Sequence, residues 1–205
     1  MADHYFSEAP TGEARLRTLT VRLAGRDVEV DTAGGVFSPG HVDTGTRILL
    51  QHVPEPSPGA LLDLGCGWGP IALDAALRAR ESRVPLQVWA VDVNERAREL
   101  TARNAAALGL PDVRTVAPED VPAEVRFSAI WSNPPIRVGK SVLHGMLSTW
   151  LPRLEPGGAA HLVVAKKLGA DSLRGWLERE FGADCDVERT ATAKGFRILQ
   201  VTRRP

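Results

Sequence analysis

Two short stretches hold the residue types from which chemistry could be built. "LLDLGCGWGPIAL" sets Gly65, Gly67 and Gly69 between an apolar run and a helix-like run, with Asp63 two residues ahead. Glycines in that place let the backbone turn tightly and approach a ligand, while the helix behind them aims its N-terminal amides at it. One strand–helix unit later, "AVDVN" ends an apolar run on Asp92, where a carboxylate can accept two hydrogen bonds from a ribose diol. The second stretch, "IWSNPPIRVGK", puts Asn133 at the end of another apolar run and directly before Pro134 and Pro135. A turn explains the prolines. It does not by itself explain a lone carboxamide, whose oxygen can accept an N–H from a bound group.

A dinucleotide fingerprint, G-x-G-x-x-G, demands glycine at position 70. Pro70 stands there, suits the first turn of a helix, and argues against a nicotinamide-dependent dehydrogenase.

These residues need a scaffold, and the rest of the chain supplies one. From Ala60 onward strands and helices alternate: "ALLDLG", a helix over 70–80, "LQVWAVDV", a helix ended by Gly109, "VRTVA" and "FSAIWS". A helix over 140–152, the strand "AAHLVVA" after a "PGG" turn, and a helix over 170–181 follow. Such alternation implies a parallel sheet with helices on both faces. The last two strands, "DCDVERTAT" and "FRILQVTRR", are too closely joined for a parallel crossover and predict an antiparallel hairpin at the sheet edge. Residues 15–32 alternate apolar and polar around Gly25 and read as a β-hairpin. Asp43 or Thr44 can cap a short helix carrying Ile48, Leu49 and Leu50, and "PEPSPG" is a stiff connector. Residues 1–58 therefore form an N-terminal extension packed on a core of residues 59–205.

The 205 residues are 43% hydrophobic and 24% charged, as expected for a globular protein. Net charge is zero, so attraction to nucleic acid must come from a local basic surface rather than from the molecule as a whole. Two cysteines make no disulfide framework and belong to no metal-ligand cluster. There is no N-terminal apolar leader and no run long enough to span a bilayer, so a reducing cytoplasmic compartment is the expectation.

"DLGCGWG" with "VDVN" resembles the S-adenosylmethionine site of class I methyltransferases, and "SNPPI" resembles the catalytic motif of those that methylate exocyclic or amide nitrogens. "HYFSEAP" and "GVFSPGHVDTGTRILL" are similar to the small-domain (MTS) group, which includes RsmC-type ribosomal-RNA guanine-N2 methyltransferases and shorter single-domain relatives. The resemblance implies a Rossmann-like, doubly wound, mostly parallel seven-stranded sheet with an antiparallel last strand. It implies S-adenosylmethionine as cofactor, contacted by Asp63, Gly65, Cys66, Gly67 and Gly69, by Asp92, Val93 and Asn94, by Glu119 on the adenine side, and by Asn133. It implies RNA, in ribosomal RNA or a ribosomal subunit, as the acceptor. A protein glutamine amide and a non-catalytic cofactor-binding module are the alternatives.

In this reading Asn133, Pro134, Pro135 and Ile136 form the catalytic turn. The Asn133 oxygen and the Pro134 carbonyl each accept an N–H of a planar amine and favour its developing sp³ character in the transition state. Prolines carry no N–H, so no local donor is expected to compete for these acceptors. Ile136 departs from the aromatic often found in its place and supplies only an apolar wall; Phe37 is a substitute ring or a core residue. Asp43 and Thr46 are expected near the methionine end of the cofactor. Arg137, Lys140, Lys166, Lys167, Lys194 and Arg197 are expected in loops at the carboxyl edge of the sheet, where they could meet phosphates.

Overall fold

The run Gly59–Leu64 forms strand β3, and its last four residues are buried. Burial on both faces is what a continuous apolar run in a parallel sheet requires. A computed structural model describes residues 15–205; the "HYFSEAP" segment lies outside the described residues. Within them the chain reads β1 (Arg17–Leu23), β2 (Arg26–Thr32), α1 (Thr44–His52), β3, α2 (Pro70–Ser82), β4 (Leu86–Val91) and α3 (Glu95–Ala107). It continues with β5 (Val113–Val116), β6 (Phe127–Ser132), α4 (Lys140–Trp150), β7 (Leu154–Ala165), α5 (Ala170–Phe181), β8 (Cys185–Ala193) and β9 (Phe196–Arg203).

Seven strands form one sheet in the order β5-β4-β3-β6-β7-β9-β8. Pairings are parallel through β7, and β9 inserts antiparallel between β7 and β8. This is the Rossmann-like sheet with an antiparallel last strand. The chain steps outward from β3 to β5, then returns to lay β6 on the other side of β3. In open α/β sheets, ligands bind at such a reversal, beyond the carboxyl ends of the strands.

Two cores flank the sheet. On one face Leu61, Ile71, Leu73 and Leu77 pack with Leu49 of α1 and with Leu23 and Val30 of the first hairpin. On the other, Leu62, Leu64 and Ile130 meet Leu143, Leu147 and Trp150, which α4 presents at i, i+4 and i+7, and Leu173 and Leu177 of α5. Each such leucine contributes about 1.5–3 kcal/mol by its burial. Hairpin β1–β2 turns through Ala24 and Gly25, both at positive φ (47° and 73°), the two-residue turn that matches strand twist. It is tied down by polar bonds as well: the Ala24 N–H donates to Asp74 (2.6 Å) and the Asp31 N–H to Asn104 (2.7 Å). Lys194 and Gly195 (φ 46° and 80°) make the same kind of turn between β8 and β9.

Two expectations shift in detail. The helix expected over 140–152 ends as α-helix at Trp150 and tightens into a 3-10 turn over Leu151–Arg153, because Pro152 lacks an N–H to continue it. The "PGG" segment is a bulge within β7: Leu154 pairs with Phe127, pairing resumes at Ala159 with Ala129, and Gly157 sits at φ 79°.

Candidate functional site

The carboxyl ends of β3, β4, β6 and β7 and the start of β9 surround a cleft of about 510 Å³. Its walls include Gly65, Gly67, Asp92, Val93, Asn94, Pro118, Asn133, Pro134, Pro135 and Ile136, together with Phe37 and Asp43 from the N-terminal segment. The topology thus brings the glycine loop, the β4 carboxylate and the proline turn to one place.

The glycine loop leaves β3 with the N–H groups of Gly65 and Cys66 both donating to the Val91 carbonyl (2.8 and 3.1 Å). Gly67 has φ 58°, and its N–H donates to Asp92 Oδ2 at 3.0 Å. A Cβ at Gly65 or Gly67 would meet nothing within 4 Å, so the loop presents bare backbone to open space. Asp92 Oδ1 accepts the Asn94 N–H (2.9 Å), and each carboxylate oxygen keeps a lone pair for a further donor. Burial raises the Asp92 pKa, opposed by those two amides. Leu64, Val91, Val93, Ala97 and Pro118 supply an apolar wall beside it, with Val93 43% exposed. A bare backbone loop, a carboxylate with spare acceptor capacity and an apolar slot fit a nucleoside bearing a ribose diol.

Asp63 plays a different part. It is fully buried and accepts the Ala72 N–H at 2.9 Å. Gly69, the residue ahead of α2, has no side chain to cap it, so Asp63 satisfies that helix end from the strand. Desolvation raises its pKa to about 8, softened by the Ala72 amide and reinforced by the nearby Asp92 charge. The folded pKa lies above the unfolded one, so the stability from the protonated form is complete below about pH 4. It is lost as pH rises toward about 8. Thermal melts from pH 5 to 8.5 should show a larger loss of Tm for the wild type than for Asp63→Asn; parallel curves would contradict the assignment.

Other expected cofactor contacts also bond within the protein, Asn94 while lining the cleft. Asn94 is buried; its oxygen caps α3 by accepting the Ala97 N–H (3.3 Å), and its amide donates to the Gly35 carbonyl (2.8 Å). Cys66 is buried and accepts a hydrogen bond from Thr101 (3.6 Å). Gly69 faces Thr101, which a Cβ would approach to 3.0 Å. Glu119 is exposed outside the cleft, whereas its neighbour Pro118 lines it.

At the other end stands Asn133, whose amide nitrogen donates to Asp43 Oδ2 (3.0 Å) and Thr46 Oγ1 (3.1 Å). No described residue donates to its oxygen. Asp43 also caps α1 through the Gly45 and Thr46 amides (2.7 and 3.4 Å). The expectation of a Pro134 carbonyl free of local donors is corrected. Ile136, the first residue after the turn with an N–H, donates to it at 2.8 Å, and Pro135 (φ −74°, ψ 75°) centres an inverse γ-turn. The carbonyl retains its second lone pair.

Phe37 is 46% exposed at the cleft, so it is not a core residue. The segment that carries it is pinned by the Trp68 indole, which donates to the Ser38 carbonyl at 3.2 Å, and by the Asn94–Gly35 bond. Arg137 and Lys167 line the cleft; Lys140, Lys166 and Lys194 are exposed, and the Lys166 N–H bonds the Gly195 carbonyl beside Lys194 (2.8 Å). Arg197 is buried and ion-paired with Asp171, which removes it from the set expected to meet phosphates. Sequence reasoning missed Phe196, Met146, Trp150 and Leu168, which complete the apolar wall. Phe196 was signalled by its place directly after the final hairpin turn, at the same edge as Lys194.

Comparison with known proteins decides the family. Residues 27–200 match the methyltransferase small domain. The chain belongs to that family. It is an S-adenosylmethionine-dependent methyltransferase domain. Uncharacterized protein YbxB of Bacillus subtilis is 34% identical over 99% of this chain and 100% of its own. Ribosomal RNA small subunit methyltransferase C of Stutzerimonas stutzeri is 34% identical over 95% of this chain and 57% of its own. Among solved structures, the T. thermophilus 16S rRNA N2 methyltransferase RsmC, in complex with AdoMet and guanosine, superposes with a TM-score of 0.79. It is 25% identical, over 95% of this chain and 52% of that one. The chain therefore spans all of the Bacillus relative but little more than half of these rRNA methyltransferases. Among the described residues no helix is long and apolar enough to cross a membrane.

Proposed function

We propose that this protein methylates an exocyclic amine of an RNA base, guanine N2 of ribosomal RNA being the favoured target. The observation that carries the reading is the direction of Asn133. Both amide hydrogens are held by Asp43 and Thr46, so the prong left for an acceptor is an oxygen. That oxygen and the spare lone pair of the Pro134 carbonyl suit a group with two N–H bonds to donate.

S-adenosylmethionine supplies an electrophilic methyl group on a sulfonium. The residues of this chain do the rest. Gly65, Gly67 and Asp92 hold the nucleoside half against bare backbone and carboxylate. Asn133 and Pro134 hold the amine so that its density stands out of the base plane, and alignment supplies much of the acceleration. No strong base is needed, because the amine becomes acidic as the bond to carbon forms and sheds its proton afterwards. Phe37, Ile136 and Phe196 offer apolar surface for a base swung out of its stack. Arg137 and Lys167 on the wall, with Lys140, Lys166 and Lys194 beyond it, give the neutral molecule a local basic edge for phosphates. The names of the rRNA relatives support the same acceptor.

A glutamine amide in a protein also has two N–H bonds, so the test must separate the two acceptors. The protein is incubated with cell extract and methyl-tritiated S-adenosylmethionine, then aliquots are treated with nuclease or protease. Label released by nuclease, and absent with Asn133→Ala, is the expected result; label released only by protease replaces RNA with protein as the acceptor.

A further inference from the structure

We infer that Asp43 is a positioning residue of this reaction: its carboxylate fixes the Asn133 carboxamide with the oxygen prong left for the acceptor. The inference rests on the reading of Asn133 as the group that holds the amine.

A carboxamide has two prongs of nearly equal shape, and exchanging them turns an acceptor into a donor. An ionised carboxylate can only accept. Asp43 Oδ2 lies 3.0 Å from the Asn133 amide nitrogen, so only the NH₂ prong can face α1. Turned the other way, a carbonyl oxygen would abut a carboxylate oxygen. Thr46 takes the second hydrogen at 3.1 Å, but a hydroxyl can serve either prong, so the choice belongs to Asp43. Donation to a charged acceptor also polarises the amide and makes its oxygen a stronger acceptor.

The position of Asp43 is itself fixed. The same Oδ2 accepts the Gly45 and Thr46 amides at the start of α1. Gly45 leaves the room for this: a Cβ there would stand 2.9 Å from Asp43 Oδ2, 3.1 Å from the Phe196 ring and 3.3 Å from the Asn133 nitrogen. One oxygen thus joins the cap of α1 to the end of β6, and the N-terminal segment builds part of the catalytic site.

Changing the two groups singly and together tests this. Asp43→Ser keeps a capping oxygen, but its hydroxyl can serve either prong and no longer dictates the choice; single-turnover transfer into RNA should fall ten- to a hundred-fold, with the Kd for S-adenosylmethionine within twofold. Asn133→Asp sets two carboxylates side by side and should fall at least a thousand-fold. In the double variant, Asp43→Ser with Asn133→Asp, the hydroxyl can donate to the new carboxylate while its lone pairs accept the helix amides, and transfer should exceed Asn133→Asp alone by at least tenfold. A double variant no faster than Asn133→Asp overturns the inference, because a helix-capping role gives no such rescue. If the wild type labels neither RNA nor protein, the acceptor reading fails separately, and ¹⁵N NMR still decides the contact. Hydrogen exchange of the Asn133 side-chain NH₂, assigned by its loss in Asn133→Asp, should be at least tenfold faster in Asp43→Ser. Equal rates overturn the inference.

Discussion

Asn133→Ala should lower single-turnover methyl transfer by about a thousand-fold while leaving affinity for S-adenosylmethionine within about threefold. The substitution removes the oxygen that holds the amine and strands Asp43 and Thr46 without the donor they now share. Losing one preorganised polar contact to developing charge costs about 10²–10³ in rate, and the loss of alignment adds to it. Cofactor affinity is spared because the nucleoside half of the cleft is built from other strands, β3 and β4, which keep their own cores. Radiolabel transfer measures the first quantity and calorimetry the second. A variant that transfers methyl at the wild-type rate would falsify the role given to this side chain.

Asp92→Ala should act in the opposite sense, weakening cofactor binding by about 10–100-fold. Hydrogen bonds to a charged group contribute about 1.5–3 kcal/mol, and the ribose diol would lose them. The change also releases the Gly67 and Asn94 amides, so the loop that faces the cofactor loosens with it. Asp92→Asn, which retains an acceptor oxygen, should fall between the two. Calorimetric affinity unchanged in Asp92→Ala would place the ribose elsewhere.

The sheet was legible because its signals are local. Apolar runs of strand length, Gly25 and Gly195 in two-residue turns, and Pro70 opening a helix each act within a few residues of themselves. The insertion of β9 between β7 and β8 was legible only as an antiparallel ending, since strand order is a long-range fact. At the site the division is similar. Gly67 and Asp92 stand where their spacing put them. Asp63 and Asn94 are motif residues that also bond backbone groups of their own fold, and a spacing rule cannot tell a carboxylate that caps a helix from one that faces a ligand. The bond between Asp43 and Asn133 spans ninety positions and has no sequence signature at all. Phe37 and Phe196 were obscured for the same reason: exposure of a ring at a cleft depends on what packs around it.

The site of the transferred methyl tests the central claim most directly. RNA labelled by the wild-type protein is digested to nucleosides, and the labelled nucleoside is identified by chromatography and mass spectrometry. The expected product is N2-methylguanosine. Methyl found on a base carbon or a ribose oxygen, neither of which offers Asn133 and Pro134 an amine to hold, would contradict it.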